Sequence, residues 1–185
     1  MRERLKSTRP KSLAGSLLLA HPALRDPNFR RTVILMSVHN AEGAMGMVLN
    51  RPLGRLLGEL NTGFSLGPFA VVPLFQGGPV QTEQLILAAW QSREDGFKLH
   101  LGIEPDKAIE LAAEEDVQVR AFLGYSGWSA GQLENELGQE TWVVAAVPGD
   151  LMHHPQDEGL WRTALGTVSL DWRLRASEPD DTSLN

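Results

Sequence analysis

Apolar residues along this chain fall mostly into short unbroken runs, with four short stretches that read as helices between them. The run at 13–20 ends in Leu17-Leu18-Leu19-Ala20 and has the pattern of a strand covered on both faces. Residues 32–38 are dense in β-branched side chains and predict a core strand. Asn40-Ala41-Glu42-Gly43 supplies turn chemistry, so 45–50 returns as the second arm of a hairpin. Further strands are expected at 71–76, 85–90, 97–101, 117–123 and 142–147. In the fourth of these, Val117, Val119, Ala121 and Leu123 alternate with Gln118, Arg120 and Phe122. Helices are expected at 53–60, at 105–113 with Ile109 and Ala112 inward, at 129–137, and at 155–165 with Trp161 and Leu165 on one face. Ser129 and Gln132 have capping-box spacing, and Gly138 provides a stop. Asp26 can cap and Pro27 suits a first helical position, giving a single turn or a tight loop.

Early hairpins followed by unevenly mixed helices and strands point to an α+β fold rather than strict βαβ alternation. The expectation is a single domain over 13–176: a mixed, curved, partly barrel-like sheet of seven or eight strands flanked by helices. A basic arm (1–12) and an acidic tail (177–185) read as disordered ends.

Composition narrows the function. The chain has 185 residues, 42% hydrophobic and 22% charged, within the ordinary globular range. No apolar run is long enough to span a bilayer as a helix, so no membrane partner is expected. There is no cysteine, which removes disulfides, thiolate metal sites and cysteine nucleophiles. The basic start and short apolar stretch fail as a signal peptide, because Leu18 stands where a small residue is wanted; the reading is cytoplasmic. Of the net charge of −6, residues 1–31 carry +6 (eight basic, two acidic) and 32–185 carry −12 (nine basic, twenty-one acidic). A polyanion is repelled by such a body, and no helix-turn-helix or basic recognition helix is present, so direct DNA binding by the body is not expected.

Chemistry-bearing residues are few. Gly124-Tyr125-Ser126-Gly127-Trp128 reads as a tight turn from a strand into a helix. A serine there resembles a hydrolase nucleophile elbow, but Gly-x-Ser-x-Gly needs glycine where Trp128 stands. The other reading of the turn is a binding surface, with bare amides beside Tyr125 and Trp128 as aromatic anchors, unless both rings are core. Gly77-Gly78-Pro79 offers amides without phosphate-loop spacing. His39, beside Glu42, either caps the hairpin or serves as a general base. Arg25, Arg30 and Arg31 flank Asp26 as a salt-bridge cluster or an anion-binding corner. His153-His154 with Asp157 offers metal-type side chains, but neighbouring histidines diverge, and no metal or cofactor is assigned.

Several of these segments, in order, resemble the AlgH/YqgE family: Leu17 through Val33 with its His21-Pro22 and Asp26-Pro27-Asn28-Phe29, His39-Asn40 through Gly46, Asn50-Arg51-Pro52-Leu53, Gln76-Gly77-Gly78-Pro79-Val80, and Gly124 through Glu134. The resemblance runs from about Gly15 to Leu165. It implies a compact α+β domain with a barrel-like sheet, a bacterial and mostly cytoplasmic setting, and a family name that derives from a proposed role in transcriptional regulation of alginate production. It brings no activity, cofactor or catalytic set. The resulting expectation is a non-enzymatic regulatory module for an unidentified protein or small-molecule partner. Its surface is expected near Asp26, Arg31, His39, Asn50, Gly77, Gly78, Tyr125, Ser126, Trp128, Gln132 and Glu134. The alternative is a small-molecule hydrolase or other enzyme using Ser126 or His39.

Overall fold

The computed structural model describes residues 12–178, so most of the basic arm and the tail from 179 lie outside the described residues. Within that span the strands are β1 (Leu17–Ala20), β2 (Val33–Asn40), β3 (Gly43–Val48), β4 (Pro52–Leu56), β5 (Pro73–Gln76), β6 (Val80–Arg93), β7 (Gly96–Leu101), β8 (Val117–Ser129) and β9 (Trp142–Ala145). The helices are α1 (Leu57–Leu60), α2 (Pro105–Ala112), α3 (Gln132–Gly138), α4 (Glu158–Val168) and α5 (Leu170–Ser177). All nine strands join one sheet in the order β4-β5-β8-β3-β2-β1-β9, with β6 also on β8 and β7 on β6. Only β5 and β8 run parallel; the curled mixed sheet with flanking helices is the α+β architecture expected.

The spine is β8. Its first half pairs with β6 and β5, and its second half pairs with β3, so one thirteen-residue strand ties two parts of the sheet together. The large core gathers the buried run Leu17–Ala20, the start of β2, and Trp161, Ala164 and Leu165 of α4. A smaller core of Leu57, Leu74, Leu87, Ala108 and Ala121 lies under α2. Trp161 ties α4 to the sheet by donating its indole N–H to the carbonyl of Ala20 at 2.9 Å.

The structure corrects several local expectations. Residues 53–60 are not a helix: Pro52–Leu56 pair with β5, Gly54 has φ +66°, and only Leu57–Leu60 turn helically. Position 54 therefore suits glycine and excludes a continuous α-helix. In α2 the inward residues are Ala108 and Leu111; Ile109 is 46% exposed, one position out of phase with the expectation. The strand expected at 13–20 begins only at Leu17, because Gly15 at φ +81° turns the chain first. The last amphipathic helix starts at Glu158, capped by the Asp157 carboxylate accepting from the Gly159 N–H at 2.8 Å. Helix α5 carried no expectation. Its exposed Leu170 and Leu174 give it a weak amphipathic signal.

The most consequential correction concerns 124–129. This segment is not a turn into a helix but the second half of β8, and α3 begins only after Gly131 at φ +75°. Ser129 is thus not the helix cap, although Gln132 Oε1 still accepts from its N–H at 3.1 Å.

Candidate functional site

Because successive side chains of a strand point to opposite faces, continuing β8 to Ser129 separates residues that a turn would have clustered. Tyr125 and Gly127 share one face, and Ser126 and Trp128 the other. On the first face the ladder aligns Val38 of β2 with Met45 of β3, Met45 with Gly127, and Tyr125 with Val80 of β6. These residues line an open groove of about 490 Å³ with Glu42 at its rim. Gly127 is its floor: a Cβ there would sit 3.4 Å from the Tyr125 ring, in contact but without clash. Val38 remains 43% exposed at one wall.

The opposite face is a support. Trp128 is 6% exposed, and its ring lies 6.0 Å from that of Trp142 and 6.4 Å from that of Phe29. Glu136 Oε2 accepts both indole N–H groups, from Trp128 at 2.9 Å and Trp142 at 2.7 Å, while Gln132 donates to Oε1 at 2.9 Å. Trp128 is therefore largely core, although it also borders the groove, which Tyr125 fronts from the other face of β8. The His39 side chain is 5% exposed and bridges two elements. Its Nδ1 accepts the Leu13 N–H at 2.9 Å, so the ring proton belongs on Nε2, which meets Glu134 Oε1 at 2.7 Å. That hydrogen bond holds the Glu134 carboxyl below the usual carboxylate range. The histidine thus fastens the end of β2 to α3 and to the segment before β1, and its hydrogen-bond partner is Glu134 rather than Glu42.

Ser126 is fully buried, and its Oγ donates to the Gly77 carbonyl at 3.1 Å. The same carbonyl accepts the Val48 N–H at 2.9 Å, and the Gly77 N–H donates to Leu123 O at 2.9 Å. The Ser126 hydroxyl is thus sealed from solvent, and both ring nitrogens of His39 are engaged in hydrogen bonds. Gly77 and Gly78 serve close approach of backbones. A Cβ on Gly78 (φ +154°) would lie 2.2 Å from the carbonyl of Tyr125, and one on Gly77 2.3 Å from that of Gly124.

Asp26, Arg31 and Asn50 form a separate corner and do not line the groove. The Asp26 carboxylate accepts from Asn28 N–H at 2.8 Å, closing the expected tight turn. Buried Asn50 accepts from Val33 N–H at 2.8 Å and donates to the Arg31 carbonyl at 2.9 Å, fixing the start of β2. Arg31 pairs with Glu158 and lies over the Trp161 ring, joining this corner to α4. His153 lies in a one-turn 3₁₀ segment, and His154 contacts Asp150 at 3.1 Å. Of the residues expected at a surface, then, Tyr125 and Trp128 border the groove, and the others lie elsewhere. Val38, Met45, Val80 and Gly127 were missed. Extending the 117–123 alternation through 129 is the signal that would have found Gly127.

The described residues thus form a half-barrel α+β domain with an open, largely apolar groove on one face of its sheet. The AlgH-like family profile matches residues 17–173. The chain belongs to the AlgH-like family. A UPF0301 protein of Streptomyces coelicolor is 39% identical over 192 residues, covering 96% of this chain and 98% of its own. A UPF0301 protein of Chlorobium limicola is 34% identical over 180 residues, with 92% and 95% covered. The solution structure of AlgH from Pseudomonas aeruginosa superposes with a TM-score of 0.66 at 28% identity, covering 98% of this chain and all of that one. Protein DIP2367 from Corynebacterium diphtheriae shares the fold, with a TM-score of 0.69 at 20% identity over 96% and 95% of the two chains. No helix among the described residues is long and apolar enough to cross a membrane.

Proposed function

We propose that this protein is a non-catalytic regulatory interaction module that docks a short protein segment in the groove between Val38 and Tyr125. The carrying observation is that uncovered row of apolar residues across β2, β3, β8 and β6, with a glycine as its floor. A groove of about 490 Å³ accepts a few side chains, and Tyr125 is the kind of rigid amphipathic ring that anchors partners. Glu42 at the rim and the −12 balance of residues 32–185 favour a partner segment that is apolar with basic flanks. Regulation by such a module is occupancy: the partner is held or released, with no bond made or broken.

The test is a photo-crosslinking side chain at position 125 in living cells, alone and combined with Gly127→Leu. The leucine enters the groove from a position where an added Cβ meets only ordinary contacts. The expected result is a discrete protein adduct that Gly127→Leu removes while leaving the melting temperature near wild type. Adducts that persist undiminished in that variant refute the groove as the docking face.

A further inference from the structure

Independently of the groove, a second cavity of about 440 Å³ opens at the surface between α5, β9 and the end of α3. Trp142 and Trp172 supply its apolar walls, and charges of both signs line it: Arg175, Glu140 and Asp171. Among the described residues none of these three has an ion-pair partner, although all face one space. The Arg175 guanidinium lies 5.2 Å over the Trp172 ring, and the His21 ring meets Trp172 edge-on at 5.3 Å. His21 Nδ1 accepts the Ala23 N–H at 3.0 Å, so its proton sits on Nε2, which has no hydrogen-bond partner among the described residues.

Glu140 adds an observation of a different kind. It stands at the left-handed position of a Schellman motif that ends α3, with φ +57°, Thr141 N–H bonding Glu136 O at 3.0 Å and Glu140 N–H bonding Leu137 O at 3.1 Å. Glycine is the residue that position favours, since a side chain there is strained. Here the strained position instead carries a carboxylate to the cavity.

We propose that this cavity binds a free α-amino acid, with basic amino acids preferred. The ligand's ammonium groups face Glu140 and Asp171, its carboxylate faces Arg175 and the His21 Nε2–H, and its aliphatic stem lies along Trp142 and Trp172. Two carboxylates against one guanidinium leave the lining at −1, which is why a ligand with a second cation fits best.

Calorimetric titration of the full-length protein with lysine, alanine, glutamate and 1,5-diaminopentane (lysine without its carboxylate) tests this. Lysine is expected to bind with a Kd below about 1 mM, and diaminopentane and glutamate at least about ten-fold more weakly. Arg175→Gln should abolish the preference for lysine over diaminopentane, weakening lysine while diaminopentane binds at least as tightly as before, because the lining then carries −2. Glu140→Gly should weaken lysine at least about ten-fold while raising the melting temperature, because it relieves the strained position. That pairing separates loss of the site from loss of the fold. Equal affinity for lysine and diaminopentane in the native protein overturns the proposal, since the cavity is then an acidic patch only. So does an unchanged affinity in Glu140→Gly, or no binding of any amino acid at about 10 mM.

Discussion

Removing the Glu136 carboxylate should unfold this protein far more easily than its single charge suggests. One oxygen, Oε2, accepts the indole N–H of Trp128 at 2.9 Å and of Trp142 at 2.7 Å, and both indoles belong to residues at most 6% exposed. A hydrogen bond to a charged acceptor contributes about 1.5–3 kcal/mol, and an orphaned buried donor costs about 1–3 kcal/mol. Part of Glu136 is open to water, which can re-pair one donor, so the expected loss for Glu136→Ala is about 2–4 kcal/mol rather than the sum of two full terms. At about 2–4 °C per kcal/mol for a chain of this size, the melting temperature should fall by roughly 10 °C. Urea unfolding followed by tryptophan fluorescence gives both the midpoint and the slope. Glu136→Gln keeps an acceptor oxygen without charge and should lose about half as much. A double-mutant cycle with Trp128→Phe isolates one bond: the Phe substitution should cost about 1 kcal/mol less in the Glu136→Ala background than in the native one. A loss below about 1 kcal/mol for Glu136→Ala, or a cycle with no coupling, refutes the claim that this carboxylate clamps β8 to β9.

Three further outcomes follow from the same structure. The Glu134 carboxyl is held below its ordinary range chiefly by the His39 hydrogen bond, so its contribution is present above the unfolded-state carboxylate value and lost as pH falls through the lower folded value. Stability measured by urea unfolding should decline across that acidic window, and Glu134→Gln should flatten the decline; an identical acid profile in the variant rejects this. Gly78→Ala places a methyl 2.2 Å from the Tyr125 backbone at a φ of +154°, so it should cost more than about 3 kcal/mol or leave the protein in inclusion bodies, and a near-native melting temperature contradicts the observed packing. Ser126→Ala removes one of the two donors to the Gly77 carbonyl, leaving Val48 N–H in place, and should cost only about 1 kcal/mol without altering partner crosslinking at position 125.

The chain by itself determined the class of fold and where most strands lie. The unbroken apolar run at Leu17–Ala20 carried the pattern of a doubly covered strand, and the β2–β3 hairpin was written in β-branched residues around a turn. The family was also legible there, because its motifs are ordered and specific. Tertiary structure decided what local signals left open. Glycines at 124 and 127 and the serine between them read locally as a turn, yet the chain only kinks at Gly124 (φ +69°), pairing with β3 and β6 carries the strand on to Ser129, and the period of two then sends Tyr125 to the groove and the Trp128 ring into the core. Pro52–Leu56 became a strand only because β5 offered a partner, and the inward face of α2 was set by its own Ala108 packing into the smaller core that holds Ala121 of β8. The cavity beside α5 was invisible for a related reason: His21, Glu140 and Arg175 are far apart in sequence, and only the pairing of β1 with β9 and the placing of α5 across from the end of α3 bring them to one space.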